Sequence, residues 1–165
     1  LEVKIPAGVD SGNRIQMSGQ GEVGPGGGPA GDLYVEIEIG DHDYLVRDGD
    51  HLHLQLNIPM TSAALGSTQT VATLDGEISI EIKSGIQSGD VISTKGKGMT
   101  RLRGGGRGDL FVHINVEIPT KLSKPEEELL RSFAKMRGES TRSNQISKDK
   151  DSGLFAKFRE ALRGQ

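Results

Sequence analysis

Hydrophobic residues alternate with polar residues in several stretches of the first 120 positions. Segments 33–39 and 110–118 read LYVEIEI and LFVHINVEI, and segment 51–59 reads HLHLQLNIP. A period of two is typical of strands that bury one face. Segment 71–82, VATLDGEISIEI, predicts a β-hairpin that turns at Asp75-Gly76. We therefore predict a mostly β fold for this part of the chain.

The pattern changes after Pro119. Ser123 and Glu126 have the spacing of a capping box, with a proline between them in the first helical turn. Hydrophobic residues then recur at helical spacing up to Gly138, which is a typical helix stop. A helix of about 13 residues is marginal alone, so we expect its apolar face to dock on another surface. That face consists of Leu129, Leu130, Phe133 and Met136.

An internal duplication accounts for many of the glycines. Residues 3–39 and 80–116 align without a gap at an offset of 77, and 14 of the 37 positions are identical. We expect the shared glycines to allow either a positive φ or a close backbone approach at tight turns. Among them are Gly8, Gly12, Gly19, Gly21 and Gly31 in the first copy and Gly85, Gly89, Gly96, Gly98 and Gly108 in the second.

These patterns divide the chain into segments. The second copy is preceded by further predicted strands, whereas the first copy is not. We therefore expect a truncated β unit followed by a complete one, each sandwich-like or barrel-like. We also expect a fragment of a longer protein, because the chain opens inside an alternating pattern. The predicted segments are the remainder of the first unit (1–40), the second unit (41–120), a helix (121–138), a polar linker (139–152) and a short amphipathic helix (153–165).

Charge and composition narrow the range of partners. The net charge of −3 divides into −7 over residues 1–120 and +4 over residues 121–165. An acidic body is not a general nucleic-acid binder, because phosphate neutralisation requires a basic face. No apolar run approaches the length of about 18 residues that a membrane span requires. We therefore expect neither a nucleic acid nor a membrane as a partner.

Side chains that could support catalysis or metal binding are few. The chain has no cysteine and four histidines, of which His51 and His53 would share one face of a strand. Two histidines without further ligands make a poor zinc site, so we interpret both as solvent-facing strand residues. No serine lies in a nucleophile-elbow context. We expect no enzymatic activity.

Five basic residues crowd one loop of the second copy, whereas their counterparts in the first copy are uncharged. The turn therefore does not need this charge. It could bind an acidic partner, or it could be solvated surface charge. The residues are Lys95, Lys97, Arg101, Arg103 and Arg107.

Two long runs resemble a known family. Residues 3–37 resemble the end of the first C-terminal β domain of DnaJ-type co-chaperones, and residues 47–123 resemble the second. The short motifs AALG, TLDG and GRGDL occur together in this pattern. The resemblance covers about residues 1–137.

The resemblance implies that the chain holds unfolded polypeptide for delivery to a DnaK-type partner. It also implies that the helix over 121–138 joins two copies in a homodimer. We accordingly expect a role in protein folding, the stress response and heat shock protein binding. The absence of cysteine is compatible with the cytoplasm, which we expect to be the location.

Two features of full-length family members are missing from this sequence. There is no His-Pro-Asp tripeptide, which marks the J domain that stimulates the partner's ATPase. There is also no cysteine, whereas the zinc module of some members carries four CxxCxGxG repeats. We expect no cofactor in this chain, and zinc is implied only for that missing module.

Client binding would require apolar surface that the fold leaves uncovered. An extended peptide could add to a free strand edge, where backbone hydrogen bonds tolerate many sequences. The candidate residues also fit a simple core role, and they are Leu54, Leu56, Ile58 and Leu65.

Two other functions stay open at this stage. One is a structural β-repeat module that assembles without binding unfolded chains. The other is a module that binds an acidic ligand or RNA through the loop from Lys95 to Arg107.

Overall fold

The computed structural model describes residues 1–139, which fall into a unit over Leu1–Pro119 and a second unit that begins at Thr120. The mostly β fold is confirmed, and its sheets stay open rather than closing into a barrel. The predicted terminal helix, and the linker beyond residue 139, lie outside the described residues. The elements are β1 (Arg14–Met17), β2 (Leu33–Glu36), β3 (Val46–Asp48), β4 (His51–Pro59), α1 (Met60–Leu65), β5 (Ser67–Thr73), β6 (Gly76–Ile82), β7 (Val91–Thr94), β8 (Leu110–Glu117) and α2 (Lys124–Met136).

A four-stranded sheet in the order β3-β4-β8-β7 organises the second copy. Its two central strands are parallel over eight residue pairs, from Leu52↔Leu110 to Pro59↔Glu117. The outer strands are antiparallel to their neighbours. Parallel neighbours need a long crossover, and here the crossover contains α1, the β5–β6 hairpin and β7.

The core lies between this sheet and the β5–β6 hairpin. Alternate residues of β4 and β8 face inward, as the sequence pattern predicts, and Leu110 and Val112 have no exposed surface. The hairpin and α1 close the other side with aliphatic side chains. The buried cluster consists of Leu45, Leu52, Leu54, Ile58, Ala63, Val71, Ile80, Ile82, Leu110, Val112 and Ile114.

Two local details differ from the sequence expectation. The hairpin turns at Leu74-Asp75, one residue earlier than expected, because Thr73 pairs with Gly76. The short helix α1 was not predicted, since six residues are too few for a helical period to stand out. It begins after Pro59 and ends at Gly66, which has a φ of 82°.

The two copies of the duplication share the same backbone geometry. The strand pair β1–β2 has the register of β7–β8, so that Arg14↔Glu36 corresponds to Val91↔His113. In each copy an aspartate carboxylate at the start of the second strand accepts a glycine N–H. Asp32 accepts from Gly19 at 3.1 Å and Asp109 from Gly96 at 2.9 Å. The sequence duplication is therefore a duplication of structure.

The shared glycines serve two different purposes. Of the ten singled out in the sequence, six have a positive φ, whereas Gly21, Gly31, Gly98 and Gly108 do not. A Cβ on Gly21 would lie 2.7 Å from the Asp32 carbonyl oxygen, and one on Gly108 would lie 1.9 Å from the Asp50 carbonyl oxygen. A side chain is therefore excluded at these two positions by close backbone contact, not by the backbone dihedral angle. The six with positive φ are Gly8, Gly12, Gly19, Gly85, Gly89 and Gly96.

The two copies allow a matched test of this close contact. We predict that Gly108→Ala lowers the free energy of unfolding by about 1–3 kcal/mol, because the new methyl group must displace the Asp50 backbone. Gly31→Ala is the control, since a Cβ there lies 3.7 Å from the nearest atom, the Glu22 carbonyl oxygen. Urea unfolding measures both. Equal midpoints for the two variants would contradict the close-contact explanation.

Candidate functional site

The start of α2 is fixed by the predicted capping box. Glu126 accepts hydrogen bonds from the backbone N–H and the hydroxyl of Ser123, both at 2.7 Å. The side-chain hydrogen bond from Ser123, followed by its backbone hydrogen bond, lowers the pKa of Glu126 below its ordinary value of 4.5. Gly138 follows the last turn with a φ of 67°, as expected for a helix stop. Both ends of α2 are therefore defined by local interactions.

The apolar face of α2 consists of the four residues singled out in the sequence. Leu129, Phe133 and Met136 are exposed by 72%, 51% and 80%, and Leu130 is half-buried. The other side of the helix carries a Glu127–Arg131 ion pair. Exposed side chains of this size on one helix face form a surface that a partner could cover.

The four candidate client residues do not form one surface. Leu54 and Ile58 are buried in the core, and Leu56 is half-buried against it. Leu65, at the end of α1, is 81% exposed. Only Leu65 of this set is therefore fully available to a ligand in this conformation.

An apolar groove of about 350 Å³ lies beside α1. Met60 and Ala63 line it from the helix, Val116 and Ile118 from β8 and the residues after it, and Ile86 from the turn at 84–88. Ile118 is 66% exposed at the rim. The hydrophobic pattern of the sequence gives no signal for Met60 and Ile86, because neither belongs to an alternating stretch. Ile118 could have been found, since it continues the stripe of β8 beyond the last paired residue.

The basic loop is partly neutralised by acidic residues from neighbouring elements. Arg107 contacts the carboxylate of Asp75 at 2.6 Å and also donates to the Gly98 carbonyl oxygen. Lys97 lies 3.8 Å from the same carboxylate. These contacts hold the tip of the β5–β6 hairpin against the loop.

Of the three remaining loop cations, one has an acidic partner and two do not. Arg101 pairs with Asp50 at 3.3 Å, whereas Lys95 and Arg103 are exposed and have no ion-pair partner among residues 1–139. Three of the five cations therefore have acidic neighbours within the fold. Two are left for an acidic ligand.

Arg47 of β3 connects the second β unit to the first copy of the duplication. Its guanidinium donates to the carbonyl oxygens of Val9 at 2.7 Å and Gly8 at 3.2 Å, and it lies 3.5 Å from the carboxylate of Asp10. A cavity of about 450 Å³ borders this contact, with Leu45 and other residues of the 39–49 segment in its wall. The sequence gives no signal for this role, because the contact spans almost 40 positions.

The histidines of β4 are less exposed than expected. His51 and His53 share a face of β4 as predicted, but both are half-buried rather than fully solvent-facing, and the ring of His53 contacts His113 of β8. Among the described residues there is no group of three or more side chains suited to hold a metal ion. No helix in residues 1–139 is both long and apolar enough to cross a membrane.

Comparison with known proteins identifies relatives over the whole chain. The family model described as the DnaJ C terminal domain matches residues 1–119. The protein named "Chaperone protein DnaJ 2" is 53% identical over 165 residues in both Streptomyces avermitilis and Streptomyces coelicolor. The protein of the same name in Mycobacterium tuberculosis is 49% identical over 166 residues.

These alignments include all of this chain but only 43–44% of each relative. The chain therefore spans less than half the length of the curated relatives that it matches.

The capping box predicts a pH dependence that is confined to α2. Because the folded pKa of Glu126 is lowered, its contribution to helix stability is complete above the ordinary value of 4.5 and is lost as the pH falls through the folded pKa. We expect amide hydrogen exchange in α2, measured by NMR between about pH 6 and pH 3 and corrected for the intrinsic exchange rate, to lose protection on acidification.

Two variants separate this effect from the titration of other carboxylates. Glu126→Gln should reduce α2 protection at pH 6 and flatten its acid dependence. Glu128 lies two residues further along the helix and does not contact Ser123, so Glu128→Gln should keep the acid dependence of the parent chain. An unchanged profile in Glu126→Gln would show that the capping carboxylate does not control the helix start.

Proposed function

The chain belongs to the DnaJ C-terminal domain family, and we propose that it is the part of a co-chaperone that holds unfolded polypeptide and joins two copies. The match of the family model to residues 1–119 carries this proposal, because it covers all of the β structure described here. The relatives named as DnaJ chaperones support the same general role. In a longer protein these functions would serve delivery of the client to a DnaK-type partner.

We place client binding at the groove beside α1. Its walls are mostly apolar, with Gln87 and Ser88 as the polar lining residues, and Ile118 at the rim remains exposed. Leu65, the last residue of α1, is also exposed. A groove of about 350 Å³ accommodates one or two apolar side chains of an unfolded segment. The β5–β6 sheet has only two strands, so each strand has a second edge to which an extended peptide can add. Backbone pairing with apolar anchoring suits a partner that recognises many sequences.

We place dimerisation at the apolar face of α2. Covering four hydrophobic side chains contributes about 6–12 kcal/mol as an upper bound. A second copy of the same helix offers an equally apolar and self-complementary face, as two-fold symmetry requires. We propose a homodimer in which each copy carries its own client groove.

Other proposed properties follow from this role. The chain carries out no catalysis of its own and needs no cofactor for holding a client. It acts in the cytoplasm in protein folding and in the heat shock response. The acidic-ligand or RNA-binding alternative has weaker support, because Arg107, Lys97 and Arg101 already have acidic neighbours.

Sedimentation equilibrium tests the dimer. We expect the 165-residue chain to have twice its 17.6 kDa monomer mass, and Leu129→Asp with Phe133→Asp to give monomers, because four buried charges cannot be desolvated in one interface. Lys135→Asp is the control, since it changes the net charge by the same −2 on another side of the helix. A monomeric parent chain, or a dimeric double variant, would rule out dimerisation through α2.

Light scattering of a model protein that aggregates on heating tests client holding. We expect the folded chain to suppress aggregation at a near-stoichiometric ratio and Ile118→Asp to weaken that suppression severalfold, because a charge at the rim repels apolar segments from the groove. Val46→Asp is the control, because Val46 is also 66% exposed but lies outside the groove lining.

Circular dichroism at the assay temperature establishes that each variant is folded. The proposed groove is wrong if Ile118→Asp and Val46→Asp suppress aggregation equally. The absence of any suppression by the folded parent chain would remove the holding function itself.

A further inference from the structure

The central strands carry an aromatic ladder on the face opposite the core. His53 of β4 stands beside Phe111 of β8, with ring centroids 5.1 Å apart, and beside His113, with centroids 5.2 Å apart. These side chains are half-buried, whereas Leu54 and Val112, which point inward from the same strands, are buried. Neither the core nor the client groove uses this face, so its side chains are open to another role.

The two histidines are joined through their ring nitrogens. The Nδ1 atom of His53 lies 2.9 Å from the Nε2 atom of His113. Two nitrogens at this distance share a single proton, because one must donate and the other accept. Their residues are 60 positions apart and belong to adjacent parallel strands, which fixes the distance between their backbones. The fold therefore holds two nitrogen atoms that could act as metal ligands side by side.

We propose that His53 and His113 chelate a divalent transition-metal ion that prefers ligands at right angles, namely Cu²⁺ or Ni²⁺. With metal–nitrogen bonds of about 2.0–2.1 Å, two ligands at 90° lie about 2.9 Å apart, and two at the tetrahedral angle lie about 3.3 Å apart. The observed 2.9 Å fits the first geometry. Imidazole nitrogen is a good ligand for both ions, and Cu²⁺ binds most tightly in the first-row series.

Metal binding replaces the shared proton. Both nitrogens must present a lone pair, so a neutral pair adjusts its ring protons to the outward nitrogens and a protonated pair releases its extra proton. Because no third ligand of the described chain is near, water occupies the remaining coordination positions. The bound ion links β4 to β8 and stabilises the sheet by mass action.

The other two histidines of the chain are engaged elsewhere. The Nδ1 atom of His51 accepts the Asp109 N–H at 3.0 Å. The Nδ1 atom of His42 accepts the N–H groups of Tyr44 and Leu45 at 3.4 and 3.3 Å. His42 serves as a matched control, since it offers an imidazole without a second one in contact through its nitrogens and lies outside β4 and β8.

Titration calorimetry with NiCl₂ and CuCl₂ on the 165-residue chain tests the proposal. We expect one equivalent to bind near neutral pH and to raise the thermal unfolding midpoint. His53→Asn and His113→Asn should each weaken binding by at least about tenfold. Loss of a residue that only hydrogen-bonds to a metal ligand already lowers metal affinity by about tenfold or more, and each of these variants removes a ligand itself. His42→Asn should bind within about twofold of the parent chain.

Pulsed electron paramagnetic resonance of the Cu²⁺ complex supplies a measurement that needs no variant. It should count two imidazole nitrogens on the bound ion in the parent chain. A count of one or none overturns the proposal, and so does binding that survives unchanged in His53→Asn with His113→Asn.

Discussion

The second β unit depends on the close packing of the Gly108-Asp109 step against the backbone of Asp50. Gly108 has no side chain because the Asp50 carbonyl oxygen occupies the place of its Cβ. Asp109 then makes three hydrogen bonds. Its carbonyl oxygen accepts the Leu52 N–H, its N–H donates to His51, and its carboxylate accepts the Gly96 N–H. One residue thereby connects β4, β8 and the turn that follows β7.

This contact sets the register of the parallel strands β4 and β8, and the register decides which side chains face the core. A slip of one residue would move every inward leucine, isoleucine and valine to the solvent. With the observed register, Leu54 and Val112 are buried side by side, and His53 and His113 meet on the outer face. The client groove beside α1 depends on the same register, because Val116 of β8 forms part of its wall. Core, groove and histidine pair are thus consequences of one strand alignment.

Local patterns in the sequence predict β2, β4, the β5–β6 hairpin, β8 and α2, but not their long-range partners. The alternation in β4 and β8, the hairpin and the capping box at Ser123 are all visible, because each depends on residues close together in the chain. The parallel pairing of β4 with β8 is not visible, since it joins residues about 60 positions apart. The contact of Arg107 with Asp75 and that of His53 with His113 are hidden for the same reason. Even the duplication, which is clear in the sequence, does not reveal that Gly108 is needed for packing and Gly96 for its positive φ.

The central claim is that the groove beside α1 receives apolar segments of unfolded polypeptide. Methyl NMR of the 165-residue chain, titrated with an unfolded apolar peptide, tests it most directly. The account predicts shifts that saturate at the methyl groups of Met60, Ile86 and Ile118, with the core methyl groups of Val112 and Leu110 unaffected. Shifts absent from the groove, or centred on the loop from Lys95 to Arg107, would contradict it.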